Sequence, residues 1–256
     1  MGLNFERYVE IIREAGDTIL KMGEDENMEV RDKGGNDPLT EADLTANKIL
    51  QKLQNEIPGS CFYSEELEDD KTRHTSPYVW IIDPIDGTRE FVNKIPEYAV
   101  SAALVHHDKM VFSCVYNPND SLVWQAENEL QAPELMEGAH PGSPDKICVS
   151  RSECKRELFS ELEKDFSFEP VGSIAFKLSL VAQGRFPGVL SLRPKNEWDI
   201  AGGVGLVEAA RLTSCDVVGR KFQWNRPQKA QGVLAGKDEL VRDLLADFHL
   251  EELFHW

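Results

Sequence analysis

Two amphipathic helices are predicted near the start of the chain. Apolar residues recur at helical spacing over residues 4–22 and again over residues 40–57, where Pro58 and Gly59 end the pattern. Residues 31–38, between these helices, are rich in glycine and aspartate and predict a loop or a hairpin. The chain is therefore expected to open as helix, loop or hairpin, helix.

Beyond the second helix the pattern changes to short β-rich runs. Residues 78–82 form a continuous apolar run, which is typical of a strand covered on both faces. Further strands are predicted over residues 98–105, 110–116 and 121–126. Residues 131–145 are crowded with proline and glycine and are the best candidate for a linker.

After the linker, strands and helices alternate. The strands are predicted at residues 146–149, 188–192, 213–217 and 231–234, and the helices at residues 155–164, 173–183, 198–210 and from Asp238 onwards. Mixed helices and strands in both halves indicate an α/β (α+β) layered sandwich of alternating helix and sheet layers. The linker divides it into an N-terminal α+β subdomain, residues 1–140, and a C-terminal α/β subdomain, residues 141–256.

Composition narrows the classes of function. The 256 residues include 45 Asp and Glu against 28 Lys and Arg, a net charge of −17, which argues against nucleic-acid polymers as partners. No apolar run reaches the roughly 20 residues of a membrane span, and residues 1–21 are too charged for a signal peptide. Five cysteines without a Cys-x-x-Cys pair fit a reduced, cytoplasmic chain, and any metal is expected to be a hard ion held by oxygen.

The most informative segment is residues 82–88, which read Ile-Asp-Pro-Ile-Asp-Gly-Thr directly after a predicted buried strand. Asp83 and Asp86 are separated by a proline that restricts the backbone, and Gly87 allows a ligand to approach main-chain N–H groups closely. The alternative is that Asp86 only caps the following helix. A lone Asp-x-x-Asp would not decide between these, but the full segment favours a functional site.

Three more acidic residues stand at the ends of predicted elements. Glu65 follows a short apolar strand, Asp43 lies at the start of the second helix, and Asp199 lies at the entry of the helix over residues 198–210. Each alone could be a helix-end charge or a solvated acid.

The cost of bringing such acids together indicates their chemistry. Two carboxylates about 4 Å apart repel by roughly 4 kcal/mol at an effective dielectric constant near 20. If they converge, they must either protonate or bind divalent cations. Mg²⁺ held by carboxylates would indicate metal-assisted hydrolysis of a phosphate ester.

These elements resemble the signature motifs of the inositol monophosphatase superfamily, which are lithium-sensitive, magnesium-dependent phosphomonoesterases. The matching positions are residues 40–43, the Glu65-Glu66 pair, residues 83–88 and Trp198-Asp199. With the flanking residues, the resemblance runs from about residue 33 to residue 203 and covers most of the chain. It implies a metal-binding N-terminal subdomain and a substrate-side C-terminal subdomain. It also implies a phosphorylated small molecule as substrate, in a protein that is a monomer or a homodimer.

The resemblance also implies a role for individual residues. About two or three Mg²⁺ ions would be held by Glu65, Asp83, the Ile85 carbonyl, Asp86 and Asp199. Thr88 would orient the attacking water while Asp43 accepts from its hydroxyl, and Lys33 would help to recruit a third ion. Catalysis is thus assigned to Asp43, Glu65 and Thr88. The expected substrate-binding residues are Asp86, Gly87, Thr88, Gly172, Ser173, Lys177, Arg193, Lys195 and Asp199, with a solvated surface as the alternative for the three basic ones.

Within the superfamily the chain looks most like the CysQ-type 3′(2′),5′-bisphosphate nucleotidases. Arg89-Glu90-Phe91 follows Thr88, Ser64 precedes the glutamate pair, and Leu192 stands where inositol phosphatases place a glutamate. Residues 193–196 are not the usual nucleotidase sequence. We therefore expect hydrolysis of 3′-phosphoadenosine 5′-phosphate to AMP and phosphate. The alternatives are inositol or another sugar monophosphate as substrate, or a non-catalytic metal or nucleotide sensor.

Overall fold

The computed structural model describes residues 2–25, 30–32, 38–69, 71–131, 134–226 and 229–247. Within these ranges the helices are α1 (Phe5–Met22), α2 (Glu41–Leu50), α3 (Lys52–Glu56), α4 (Thr88–Val92), α5 (Arg151–Cys154), α6 (Ile174–Ala182), α7 (Glu197–Ala209) and α8 (Asp238–Asp247). The strands are β1 (Val30–Asp32), β2 (Pro38–Thr40), β3 (Cys61–Ser64), β4 (Tyr78–Asp86), β5 (Ala99–His106), β6 (Lys109–Asn117), β7 (Ser121–Ala126), β8 (Glu129–Leu130), β9 (Glu134–Leu135), β10 (Ile147–Ser150), β11 (Phe168–Val171), β12 (Gly188–Ser191), β13 (Thr213–Cys215) and β14 (Val233–Gly236).

The strands form two large sheets and one hairpin. The first sheet has the order β3-β4-β5-β6-β7-β8, with β9 also paired to β7; β3 is parallel to β4 and the other neighbours are antiparallel. The second sheet has the order β11-β10-β12-β14-β13, in which β10 runs parallel to both β11 and β12. β1 and β2 pair in antiparallel fashion between α1 and α2. This is the hairpin alternative of the loop or hairpin predicted there.

Helices cover both faces of the first sheet, and strand β4 shows how. Val79 and Ile81 point into the core that α6 and α7 form between the two sheets. Trp80 and Ile82 point into the opposite core, beneath α1 and α2. A run that is apolar at every position suits a strand buried on both sides. With α8 against the second sheet, the layers alternate between helix and sheet, which confirms the predicted layered sandwich.

Several predicted elements differ in detail. The second helix breaks at Gln51 into α2 and α3. The helix predicted over residues 155–164 is wrong: α5 ends at Cys154, Glu157 has a φ of +56°, and only a 3₁₀ turn at Leu162–Lys164 follows. A non-glycine residue at positive φ interrupts a helix, so the apolar spacing here reflects the buried side chains of an irregular segment. Strand β11 was not predicted.

The first sheet ends at Leu135 and the second begins at Ile147, on either side of the proposed boundary at residue 140. α6 and α7 pack against both sheets, and the division into two subdomains stays a prediction. All five cysteines are free thiols. In the part of the chain that the structure describes, no helix is both long and apolar enough to cross a membrane.

Candidate active site

The parallel pairing of β3 with β4 brings the first acidic residues together. Ser64 is in register with Ile82, so Glu65 leaves the sheet at the same edge as Asp83, and the Glu65 N–H donates to the Ile82 carbonyl at 3.2 Å. Strand β4 continues past the predicted end at residue 82, with a shift of register between Asp83 and Asp86. Pro84 falls within that irregularity, where a residue without an N–H removes no ladder hydrogen bond.

These carboxylates open into a cavity of about 700 Å³. Most of the predicted site residues line it: Glu65, Asp83, Ile85, Asp86, Gly87, Thr88, Gly172, Ser173, Lys177, Lys195 and Asp199. Asp43 lies behind the wall and reaches the cavity through Thr88. Arg193 does not line it; its backbone N–H donates to Glu153 at 3.0 Å. Lys33 lies outside the described residues.

Burial and repulsion by neighbouring carboxylates raise the pKa values of Asp83 and Asp199. Burial raises the pKa of Asp83 well above its usual range, with the charges of Glu65, Asp86 and Asp199 adding to the shift. Burial, followed by the charge of Asp86, raises the pKa of Asp199 to about 7. Buried carboxylates that repel one another in this way are stabilised by bound cations.

The donor set fits Mg²⁺ in its chemistry, because it consists of carboxylates and a backbone carbonyl that open onto one cavity. Among the described residues, no three His, Cys, Asp or Glu side chains are grouped closely enough to form a complete metal site as they stand. A spread set of carboxylates on one cavity still suits Mg²⁺, because this ion commonly keeps several waters and takes further oxygens from a substrate phosphate.

Asp43 joins the start of α2 to the start of α4. Its Oδ2 accepts from the N–H of Thr40 at 2.7 Å and from the Thr40 hydroxyl at 2.6 Å, which completes a capping box. Its other oxygen, Oδ1, accepts from the Thr88 hydroxyl at 3.2 Å, and the same hydroxyl lies 2.9 Å from the carbonyl oxygen of Ile85. The capping interpretation therefore holds for Asp43, but it accounts for only one of the two oxygens.

Asp86 is held from the second half of the chain. Its Oδ2 accepts from the Ser173 hydroxyl and from the Ala175 N–H, the latter at 2.6 Å. Burial raises the pKa of Asp86, and these two hydrogen bonds offset part of that rise. Ser173 has a φ of +52° at the N-cap of α6. A Cβ on Gly172 would lie 2.7 Å from the backbone carbonyl oxygen of Glu97, which cannot turn aside as a side chain can, so glycine is favoured there.

Lys177 lines the cavity, but its ammonium group is turned toward the backbone. Its Nζ donates to the carbonyl oxygen of Val171 at 2.9 Å and to that of Ser173 at 2.8 Å. The residue is 2% exposed, and burial lowers its pKa. Lys177 thus holds the turn between β11 and α6, and with it the Ser173 hydroxyl that contacts Asp86.

The β10–α5 junction adds residues that the sequence did not single out. Ser150, Arg151, Ser152 and Lys155 line the same cavity, opposite the acidic edge of the first sheet. Arg151 forms a two-pronged ion pair with Glu97. The polar run that directly follows a strand could have flagged this wall, because strand ends commonly border sites in open α/β sheets.

Glu153 supports the same wall from inside the protein. It is fully buried, and its carboxylate accepts from the Ser191 hydroxyl at 2.9 Å and from the N–H groups of Leu192 at 3.2 Å and Arg193 at 3.0 Å. These contacts fix the exit of β12, from which the chain continues to Lys195 and the start of α7. Sequence reasoning missed this residue, because nothing in its local pattern separates it from a surface acid.

Comparison with known proteins decides the family. A model of the inositol monophosphatase family matches residues 5–251. The chain belongs to the inositol monophosphatase family. It is 29% identical to the 3′(2′),5′-bisphosphate nucleotidase CysQ of Shigella flexneri, over 86% of this chain and 93% of that one. It is equally 29% identical to the inositol-1-monophosphatase of Rhizobium meliloti, over 92% of each chain.

A solved structure of CysQ from Bacteroides thetaiotaomicron has the same fold. It is 25% identical, covers 92% of this chain and 99% of its own, and superposes with a TM-score of 0.71. Membership of the inositol monophosphatase family identifies the chain as a phosphatase, and enzymes of this family generally depend on Mg²⁺. Both the resemblance seen in the sequence and the expected enzyme class are confirmed. Because the identity to a nucleotidase and to an inositol phosphatase is equal, only the residues of the cavity can distinguish the two substrates.

Proposed function

We propose that this phosphatase is a Mg²⁺-dependent 3′(2′),5′-bisphosphate nucleotidase that converts 3′-phosphoadenosine 5′-phosphate to AMP and phosphate. The observation that carries the proposal is the cavity, which joins the carboxylates of the first sheet to Lys155 and Lys195. Among the described residues no ion pair to either lysine is found. A substrate with one phosphate needs only the metal-bearing edge, whereas further lysines suit a second phosphate.

Mg²⁺ would be held by Glu65, Asp83, the Ile85 carbonyl, Asp86 and Asp199. When bound, it would neutralise the phosphate and act as a Lewis acid toward the attacked ester. Without cations, this cluster of carboxylates would repel a phosphate. The five ligands come from the residue that follows β3, from the end of β4 and from the first turn of α7, so the site requires both halves of the chain.

Thr88 and Asp43 orient the water in this proposal. The Thr88 proton points toward Asp43 Oδ1 or the Ile85 carbonyl, which leaves the lone pairs of Oγ1 to accept a hydrogen bond from water. The water oxygen attacks phosphorus as the bond from phosphorus to the ester oxygen breaks. One proton of that water ends on the leaving oxygen, which becomes the sugar hydroxyl, and the other stays on the released phosphate. Gly87 and Thr88 line the cavity where the phosphate would be bound.

Lys195 is the first choice for the second phosphate. The positive charge of Lys195 offsets part of the rise in the pKa values of Asp86 and Asp199, so Lys195 lies within electrostatic reach of the metal-site edge. Its backbone is fixed by paired hydrogen bonds with Ala230 at 2.9 and 3.0 Å. Lys177 is less suited to this role because two of its three N–H donors already serve carbonyl groups.

The free thiols support a reducing compartment, and we place the enzyme in the cytoplasm. Lithium inhibition is expected on the grounds of family membership.

A substrate panel tests the proposal. Phosphate release is measured with Mg²⁺ on 3′-phosphoadenosine 5′-phosphate, 3′-AMP and inositol 1-phosphate, and the three values of kcat/KM are compared. We expect the bisphosphate to lead by roughly 10-fold or more, as one charge-assisted phosphate contact supplies. A clear preference for inositol 1-phosphate would assign the chain to the sugar phosphatases. Asp83→Asn is the inactive control, and release by that variant at the wild-type rate would contradict the metal-site assignment.

A further inference from the structure

Arg73 is almost completely buried although it carries a charge. It follows β3 in the 3₁₀ turn Thr72–His74 and is 3% exposed. Its Nε donates to Asp69 at 2.9 Å and its Nη1 to the side-chain oxygen of Asn225 at 2.8 Å. Its guanidinium also lies over the ring of Tyr63, 4.1 Å from the centroid. One side chain therefore joins the segment after β3 to a loop more than 150 positions later in the chain.

Glu197 is the acidic partner of Arg73 at the start of α7. Its Oε2 lies 3.4 Å from Nη1 of Arg73, its Oε1 accepts from the Arg226 N–H at 2.7 Å, and the residue is 7% exposed. Next to it, the ring of Trp198 meets the ring of Tyr63 edge to face at 5.1 Å. The ion pair thus joins the turn after β3 to the start of α7, and the aromatic pair beside it joins β3 itself to α7.

Two of the side chains that Arg73 contacts, Tyr63 and Glu197, each lie two residues before a proposed Mg²⁺ ligand. Tyr63 lies two positions before Glu65 at the end of β3, and Glu197 lies two positions before Asp199 in the first turn of α7. β3 belongs to the first sheet, whereas α7 follows the second sheet in the chain. The separation of the Glu65 and Asp199 carboxylates therefore depends on how these two elements are held together.

We propose that Arg73, through Glu197, is a positioning residue that sets the separation of Glu65 and Asp199 and thereby the affinity for Mg²⁺. This inference rests on the proposed metal site. The planar guanidinium bonds several acceptors in fixed directions, which a single lysine ammonium does not reproduce. Residues behind metal ligands commonly tune affinity in this way. Replacing both partners of a buried ion pair by apolar residues is often neutral for stability, so a role beyond stability fits this pair.

The test is Mg²⁺ binding without substrate, measured by calorimetry on the full chain. We expect Arg73→Met and Glu197→Gln to weaken Mg²⁺ binding by roughly 10- to 100-fold, and Arg73→Lys to weaken it less. The matched control is Arg185→Met, because Arg185 also forms an ion pair with a buried acid, Asp120, with exposures of 13% and 3%. That variant should lower the thermal midpoint while leaving Mg²⁺ affinity unchanged.

The outcomes separate this inference from the proposed function. Wild-type protein that binds Mg²⁺, together with an Arg73→Met variant that binds it equally well, overturns the positioning role alone. Wild-type protein that binds no Mg²⁺ overturns the metal site and the positioning role with it. If Arg73→Met does not fold, Glu197→Gln decides, because it removes the charge and keeps the shape of the side chain. Unchanged Mg²⁺ affinity in Glu197→Gln would then reject the inference.

Discussion

The hydroxyl of Thr88 lies 3.2 Å from Oδ1 of Asp43 and 2.9 Å from the carbonyl oxygen of Ile85, so its single proton faces two acceptors inside the protein. If Oγ1 accepts from the attacking water, Thr88→Val should lower kcat by roughly 10²- to 10³-fold. Thr88→Ser should keep most of the activity because the hydroxyl remains. Steady-state phosphate release measures both, and full activity in Thr88→Val would remove Thr88 from the mechanism.

Thr40→Ala is the control for the structural part of this network. It removes the N-cap of α2, which costs about 1 kcal/mol, but leaves the contact between Asp43 and Thr88 in place. We expect a lower thermal midpoint and a kcat close to that of the wild type. A kcat as low as that of Thr88→Val would show that the helix cap, and not the contact between Asp43 and Thr88 alone, determines the activity.

The acidic edge should make the metal-free chain less stable as the pH rises. The pKa of Asp199 is about 7 in the folded chain, against about 4 for an unfolded aspartate. The folded chain therefore binds this proton more tightly than the unfolded chain, and stability is lost as the pH rises through that window. The raised pKa values of Asp83 and Asp86 act in the same direction. In EDTA the loss between pH 5 and pH 8 should be ~3 kcal/mol, or roughly 6–12 °C in Tm.

Asp199→Asn separates this effect from other titrations. The amide oxygen can still accept from the Asn196 N–H, so the helix start is kept. In EDTA at pH 8 the variant should be more stable than the wild type, and Mg²⁺ should stabilise it far less. Thermal unfolding of both proteins with EDTA and with Mg²⁺ measures this. A variant less stable than the wild type at pH 8 would show that repulsion among the carboxylates is not the dominant cost.

Lys177 should behave as a structural residue rather than as a phosphate ligand. Lys177→Met removes the Nζ donor to the Val171 carbonyl and one of the two donors to the Ser173 carbonyl, which still accepts from the residue 177 N–H at 3.2 Å. The loss should cost roughly 1–2 kcal/mol and loosen the turn that contacts Asp86. Because that turn serves every substrate, kcat/KM for a monophosphate and for a bisphosphate should fall by the same factor. Parallel assays on 3′-AMP and 3′-phosphoadenosine 5′-phosphate measure this. A loss confined to the bisphosphate would return Lys177 to the second-phosphate site.

The acidic edge of the site could be predicted from the sequence because local pattern determines it. An apolar run followed by Asp83 and Asp86 is a strand end, and pairing of β3 with β4 then places Glu65 beside them. Arg73 and Glu153 could not be predicted, because each is buried through contacts with residues distant in the chain. The direction of the Lys177 side chain could not be predicted either. The carbonyl groups to which its Nζ donates are brought within reach only by the turn after β11.

Lys195 offers the sharpest separation of the two substrate classes. Lys195→Ala should raise KM for 3′-phosphoadenosine 5′-phosphate by roughly 10-fold, the effect of one lost charge-assisted phosphate contact, and leave KM for 3′-AMP nearly unchanged. Mg²⁺ affinity should not weaken, because the lost positive charge lies near Asp86 and Asp199 and its removal favours cation binding.

Lys229→Ala is the matched control. Lys229 is exposed, it directly precedes Ala230, whose backbone pairs with Lys195, and it lines a neighbouring cavity instead. Equal loss on both substrates would mean that Lys195 contacts the phosphate under attack, and the second phosphate would then have to be bound by Lys155 and the β10–α5 wall.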